Sequence, residues 1–184
     1  AINATPATPA ITGVPAGGVC ASSTGNTATG PAGATTYAWS ITGGTITSAA
    51  NLQTVTYTAA ASGSVQLTLV VTNASGCSAT NSLVVPIDPL PTLLPATGAS
   101  FTATFNTLFS QAFTASGGTG PFTYTISPST PPAGLGFAGG ILSGTPNATG
   151  TFTFTVTATS AVGCASTTQS YTLVVRPNLV ADSY

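Results

Sequence analysis

The sequence predicts an all-β protein built as two tandem β-sandwich domains, and three observations carry that prediction. Large apolar residues alternate with threonine along several stretches. The 184 residues include 37 threonines, 21 glycines and 14 prolines. The same alternating pattern then recurs about half a chain later. Threonine's branched Cβ suits the pleat of a strand, while glycine and proline set the backbone angles of turns. No window carries the 3.6-residue period of an amphipathic helix.

In chain order, Tyr37, Trp39 and Ile41 form the first alternating set. Val65, Leu67, Leu69 and Val71 follow, interleaved with Gln66, Thr68 and Thr72, and Leu83-Val84-Val85 closes the first half. The second half repeats the order with Phe122, Tyr124 and Ile126, then Phe152, Phe154, Val156 and Ala158 between threonines, then Leu173-Val174-Val175. A period of two puts the large residues on one face and the hydroxyls on the other, the pattern of antiparallel sheets with one buried face. Trp39, the single tryptophan, is expected inside.

Gly76-Cys77 and Gly163-Cys164 stand 87 residues apart, and at that offset Val65 through Val71 fall on Phe152 through Ala158. The chain therefore reads as a tail (1–9), a sandwich (10–87), a proline-rich linker (88–91), a second sandwich (92–176) and a tail (177–184). The prolines of Pro86-Ile87-Asp88-Pro89-Leu90-Pro91 make that joint short and stiff.

Charge restricts function more than any motif. The chain has one Lys or Arg, two Asp or Glu and no His, so 2% of it is charged against roughly 25% in an ordinary domain. The single base, Arg176, cannot neutralise a run of phosphates, which excludes electrostatic nucleic-acid binding. With Asp88 and Asp182 as the only side-chain carboxylates, general acid–base catalysis and multidentate metal sites lack their groups. Serine and threonine hydroxyls abound, yet no base exists to activate one. The expectation is a non-enzyme without catalytic residues, metal or cofactor. Hydrophobic residues make up 42%, but no run reaches the roughly 18 apolar residues of a membrane span, so no membrane insertion is expected. A start at Ala1 without a basic leader reads as a mature or excised segment of a secreted protein.

Two stretches carry a family resemblance. Ala115-Ser116-Gly117-Gly118-Thr119-Gly120-Pro121-Phe122-Thr123-Tyr124, Pro132-Ala133-Gly134-Leu135, Gly140-Ile141-Leu142-Ser143-Gly144-Thr145-Pro146 and Gly150 through Val156 resemble the immunoglobulin-like repeats of large bacterial surface proteins. Tyr37-Ala38-Trp39-Ser40-Ile41, Gly43-Gly44 and Val71 through Cys77 resemble PKD-like modules of such proteins. Ser-Ile-Thr-Gly-Gly replaces the acidic glycine turn many PKD domains carry after the tryptophan, so a calcium role does not transfer. The resemblance implies immunoglobulin-like sandwiches that serve outside the cell as spacer, adhesive or assembly units.

Smaller motifs fit that frame. Leu94-Pro95-Ala96-Thr97-Gly98 spells a sortase pentapeptide, but a whole domain follows it where a sorting signal needs an apolar stretch and a basic tail. Gly134 through Gly139 spells a dinucleotide fingerprint without the helix that would receive a pyrophosphate. Cys20, Trp39 and Cys77 follow the order of an inter-sheet cystine and its buried tryptophan, so a Cys20–Cys77 bridge is expected. Cys164 is then either a leftover buried thiol or a bond to a neighbouring domain or subunit. Asn3, Asn73 and Asn147 each open an Asn-Ala-Ser/Thr glycosylation sequon.

Soluble β-proteins guard their edge strands with charge, and here charge is missing. The expected function is a structural subunit or repeat unit of an extracellular filament or cell-surface adhesin, partnered by copies of itself or by flanking tandem domains. Ile2 and Ile11, or Leu179 and Val180, are the tail residues expected to add to a neighbour's sheet. The alternative is a carbohydrate-binding or spacer module of a larger secreted protein. A sugar platform needs exposed aromatics, and only Tyr184 and the Phe101–Phe109 segment are candidates.

Overall fold

Alternation along the long strands translates directly into burial. In the computed structural model, which describes residues 4–178, Val65, Leu67, Leu69 and Val71 are buried while Ser64, Gln66, Thr68 and Thr72 are not. The second half does the same, with Phe154, Val156 and Ala158 buried between threonines. The described residues contain strands and no helix. The chain divides into two units, Ala1–Pro89 and Leu90–Tyr184.

The first unit holds β1 (Val19–Cys20), β2 (Asn26–Thr29), β3 (Thr36–Thr42), β4 (Gly44–Ile46), β5 (Thr54–Ala59), β6 (Ser64–Thr72) and β7 (Ser78–Asp88). One sheet runs β1-β7-β6-β3 and the other β2-β5-β4. The chain leaves the first sheet after Thr42 and enters the second at Gly44, so Gly43 alone makes the corner, at φ +70°. Trp39 lies in the core as expected, and its indole Nε1 donates to the Leu52 carbonyl at 2.9 Å. That bond removes the cost of burying an indole N–H.

The second unit holds β8 (Thr92–Leu94), β9 (Ser100–Thr104), β10 (Phe109–Ala112), β11 (Thr114–Ser116), β12 (Thr123–Ser127), β13 (Leu135–Ala138), β14 (Ile141–Gly144), β15 (Gly150–Thr159) and β16 (Gln169–Arg176). Its main sheet runs β12-β15-β16-β9, beside a sheet β10-β14-β13 and a pair β11-β8. The duplication is therefore structural. In each unit two antiparallel long strands sit between an antiparallel neighbour (β3 or β12) and a parallel one (β1 or β9). Even the turns repeat: Asn73 N–H donates to the Cys77 carbonyl and Ser160 N–H to that of Cys164, with Gly76 and Gly163 at positive φ. Gly134 through Gly139 belongs to a hairpin, in which Gly139 and Gly140, both at positive φ, connect β13 to β14.

The second core centres on Phe113, between β10 and β11. Its ring meets Tyr171 at 4.9 Å, Phe101 and Phe137 at 6.0 Å and Phe154 at 6.2 Å, mostly edge to face. Phe101 is thus committed to the core; Phe105 and Phe109 also pack against it, so that segment presents no aromatic platform. Tyr184 lies outside the described residues.

Two expectations about segments need correction. Residues 4–9 do not hang free of the first sandwich. Asn73 Nδ2 donates to the Ala4 carbonyl and Asn81 Nδ2 to that of Pro9, both at 2.9 Å, and Pro9 is fully buried. Ile11 packs against the first core, so it is spent within its own unit rather than offered to a neighbour. Ile2, Leu179 and Val180 lie outside the described residues. Asp88 also departs from the linker reading, because β7 runs through Pro86 to Asp88 and buries it beside Cys20.

The two buried tyrosines differ in a way that predicts opposite mutational signs. Tyr171 Oη donates to the Pro95 carbonyl at 2.6 Å, whereas Tyr57 Oη is buried with no hydrogen-bond partner. Removing an unpaired buried hydroxyl relieves a desolvation penalty; removing a paired one also orphans an acceptor. Tyr57→Phe is expected to leave stability unchanged or raise it by about 1 kcal/mol, and Tyr171→Phe to lower it by about 1–2 kcal/mol. Urea titration of the two variants checks the contrast, and a loss at Tyr57→Phe would contradict it.

Candidate functional site

The outer faces of the sheets carry hydroxyls where most proteins carry charge. On the second unit's main sheet, Thr125 pairs with Thr157, Thr155 with Ser170 and Thr153 with Thr172. Side-chain hydroxyls bond one another across strands: Thr29 with Thr54 at 3.0 Å, Thr47 with Thr56 at 2.9 Å, Thr68 with Ser82 at 2.8 Å and Thr157 with Thr168 at 3.2 Å. Asp88 and Arg176 are the charged side chains among the described residues, and only Arg176 is exposed. An open depression of about 540 Å³ on the second unit includes Ser127, Thr153, Thr155, Ser170 and Thr172 in its wall, with no acid or base. Among the described residues no three His, Cys, Asp or Glu side chains cluster to hold a metal ion. No helix in them is long and apolar enough to cross a membrane.

The sheet edges are the other chemically active surface. β12 and β9 each ladder with a partner on one side only, and neither contains a charged residue. Such an edge presents main-chain donors and acceptors to an added strand.

Burial sets the one titration with a predicted consequence. Desolvation raises the phenols of Tyr57 and Tyr171 above their usual value of 10. A group whose folded pKa is raised favours the fold fully below its unfolded pKa, and that contribution is lost as pH rises through the folded value. Stability should therefore fall above about pH 10. On the acid side at most two side-chain carboxylates can take up protons on unfolding. Thermal midpoints at pH 2 and pH 7 should then lie within about 15 °C of each other. Melts at pH 2, 7 and 11 check both limbs.

The cysteines do not pair as the sequence suggested. Cys20 lies beside Asp88, at the end of the 11-residue strand β7, and Cys77 immediately precedes its first residue. At about 3.3 Å per residue the two positions are roughly 35 Å apart. A disulfide needs Cα atoms within roughly 7 Å. Cys20 and Cys164 are the disulfide-bonded cysteines, and Cys77 keeps its thiol. Cys164 is buried in its turn, where Ser160 Oγ accepts from its N–H at 3.2 Å. The leftover-thiol reading of Cys164 falls with the expected bridge.

The sequon asparagines have different surroundings. Asn73 is built into its turn, with Oδ1 accepting from the N–H groups of Ser75 and Cys77 at 3.0 Å each. Asn147 is exposed in the loop between β14 and β15. Asn3 lies outside the described residues. Leu94 through Gly98 forms the crossing from β8 to β9, tied to the sheet by Gly98 N–H to the Ser170 carbonyl at 2.8 Å.

Comparison with known proteins agrees with this architecture. Residues 91–176, within the second unit, match the family described as Putative Ig domain (He_PIG). The whole chain is similar to the fibronectin(III)-like modules of Clostridium thermocellum CbhA, at 16% identity, covering 96% of this chain and 100% of that one with a TM-score of 0.45. It is also similar to extracellular domains 3–5 of Drosophila OTK, at 12% identity and a TM-score of 0.52. That match covers 91% of this chain and 62% of the other. The second likeness supports the fold alone, tandem immunoglobulin-like sandwiches. No curated protein matches the chain.

Proposed function

We propose that the chain is a structural subunit or repeat unit of an extracellular filament or cell-surface adhesin, its first unit a PKD-like module. Its partners are copies of itself or flanking tandem domains. The observation that carries this reading is the uncharged surface around one-sided edge strands. With one exposed charge among the described residues, nothing opposes edge-to-edge or face-to-face association. The disulfide supports an oxidising, extracellular setting. Strand addition by the C-terminal Leu179 and Val180 belongs to the proposal, because Ile11 is used at home.

Electron microscopy of the purified chain at increasing concentration tests it. Filaments or ordered arrays with a regular repeat are expected; monomers at every concentration would overturn the assembly reading and leave the spacer or carbohydrate-binding module. A second result separates the forces. Assembly should be nearly indifferent to NaCl, since almost no charge exists to screen. Sedimentation across low to molar salt measures this, and dissolution of the assemblies by salt would contradict it.

A further inference from the structure

We infer that Asn147 is the site at which the folded chain carries an N-linked glycan, and that Asn73 is not. Asn147-Ala148-Thr149 lies in the five-residue loop between β14 and β15, with Asn147 and Thr149 both exposed. The loop's backbone is held from below. Asn147 N–H donates to the Ala133 carbonyl, Asn106 N–H donates to that of Pro146, and Pro146 is fully buried. These bonds hold the main chain and leave the Asn147 carboxamide outside. That carboxamide has no hydrogen-bond partner among the described residues, so a sugar on Nδ2 displaces nothing.

Asn73 has the same acceptor pattern and the opposite surroundings. Its Oδ1 closes the turn onto Ser75 and Cys77, and its Nδ2 holds the Ala4 carbonyl at 2.9 Å. A glycan there must compete with the segment that begins the described chain. The reaction joins Asn147 Nδ2 to the anomeric carbon of an oligosaccharide donated as a lipid-linked diphosphate. The bond from that carbon to the diphosphate oxygen breaks, and Nδ2 loses one proton to the transferase's base. The attached sugar would give a surface without charge the hydration that charge supplies elsewhere.

The test is glycopeptide mass spectrometry of the chain purified from the organism that makes it. Chymotrypsin and thermolysin are the proteases to use, since the single basic residue, Arg176, precedes Pro177 and offers trypsin no site. The expected result is a sugar series on the peptide containing Asn147 and an unmodified Asn73 peptide. In the same organism, Asn147→Gln and Thr149→Ala should each lose the sugar mass and still fold, as judged by circular dichroism. Asn147 recovered only without sugar, or Asn73 modified as fully as Asn147, would overturn the assignment. Retention of the mass in Thr149→Ala would also overturn it, because the sequon would then play no part.

Discussion

Phe113→Ala is expected to lower the stability of the second unit by about 3–5 kcal/mol, the cost of deleting a buried phenyl ring that its neighbours cannot replace. The ring sits at the meeting point of Phe101, Phe137, Phe154 and Tyr171, which come from β9, β13, β15 and β16. Those neighbours are aromatic and rigid, so they cannot flow into the space as leucine or methionine would. The two units have separate cores, and denaturant unfolding should show the loss in one transition only. A loss below about 1 kcal/mol would mean that the cluster tolerates a hole at its centre.

Gly43→Ala is expected to cost the first unit about 3 kcal/mol or more, far above the usual effect of one added methyl group. Two penalties combine. The backbone at φ +70° costs an L-residue about 1–2 kcal/mol. A Cβ there would also drive into the Ser64 carbonyl oxygen, which belongs to the backbone of β6 and cannot swing aside. Gly25 provides the control, with the same φ of +70° and nothing within 4 Å of an added Cβ. Gly25→Ala should lose only the conformational part, so the difference between the two variants isolates the collision. Equal losses would show that the corner relaxes.

The parts of this fold that sequence reasoning reached are those set by neighbours along the chain. Phe154, Val156 and Ala158 announce their common face because burial alternates with the pleat, and the equivalence of the Cys77 and Cys164 turns follows from an offset visible by counting. What sequence reasoning missed depends on the third dimension. Cys20 looked paired with Cys77 because their order around Trp39 suits an inter-sheet bridge. The length and direction of β7, which put them at opposite ends of a strand, appear only once the parallel pairing of β1 is known. Ile11 looked like a tail residue free to add to a neighbour's sheet; two asparagine side chains, 69 and 72 residues away from their acceptors, hold the segment before it down. Phe113 gave no alternating signal, since it lies between two short strands and its partners come from four others. Among the sequons the triplet identifies Asn73 and Asn147 equally, and only the hydrogen bonds of Asn73 separate them.

The parallel pairing of β9 with β16 has a mechanical consequence. In a polymer under tension, once the disulfide of Cys20 and Cys164 is reduced, the chain is pulled apart through the two ends of each unit. Strands joined in parallel, one early and one late in the unit, then slide past each other, so the rungs between them stretch together instead of opening one at a time. β9 and β16 share five registered residue pairs, from Thr172 with Ser100 to Arg176 with Thr104; β1 and β7 share two. Once the segments before β1 and β9, β8 included, peel away, the second unit resists as a clasp and the first as a much shorter one. A thread of such pairs, with its disulfides reduced, would lengthen in steps, its first units giving way at low force while the second units keep it whole.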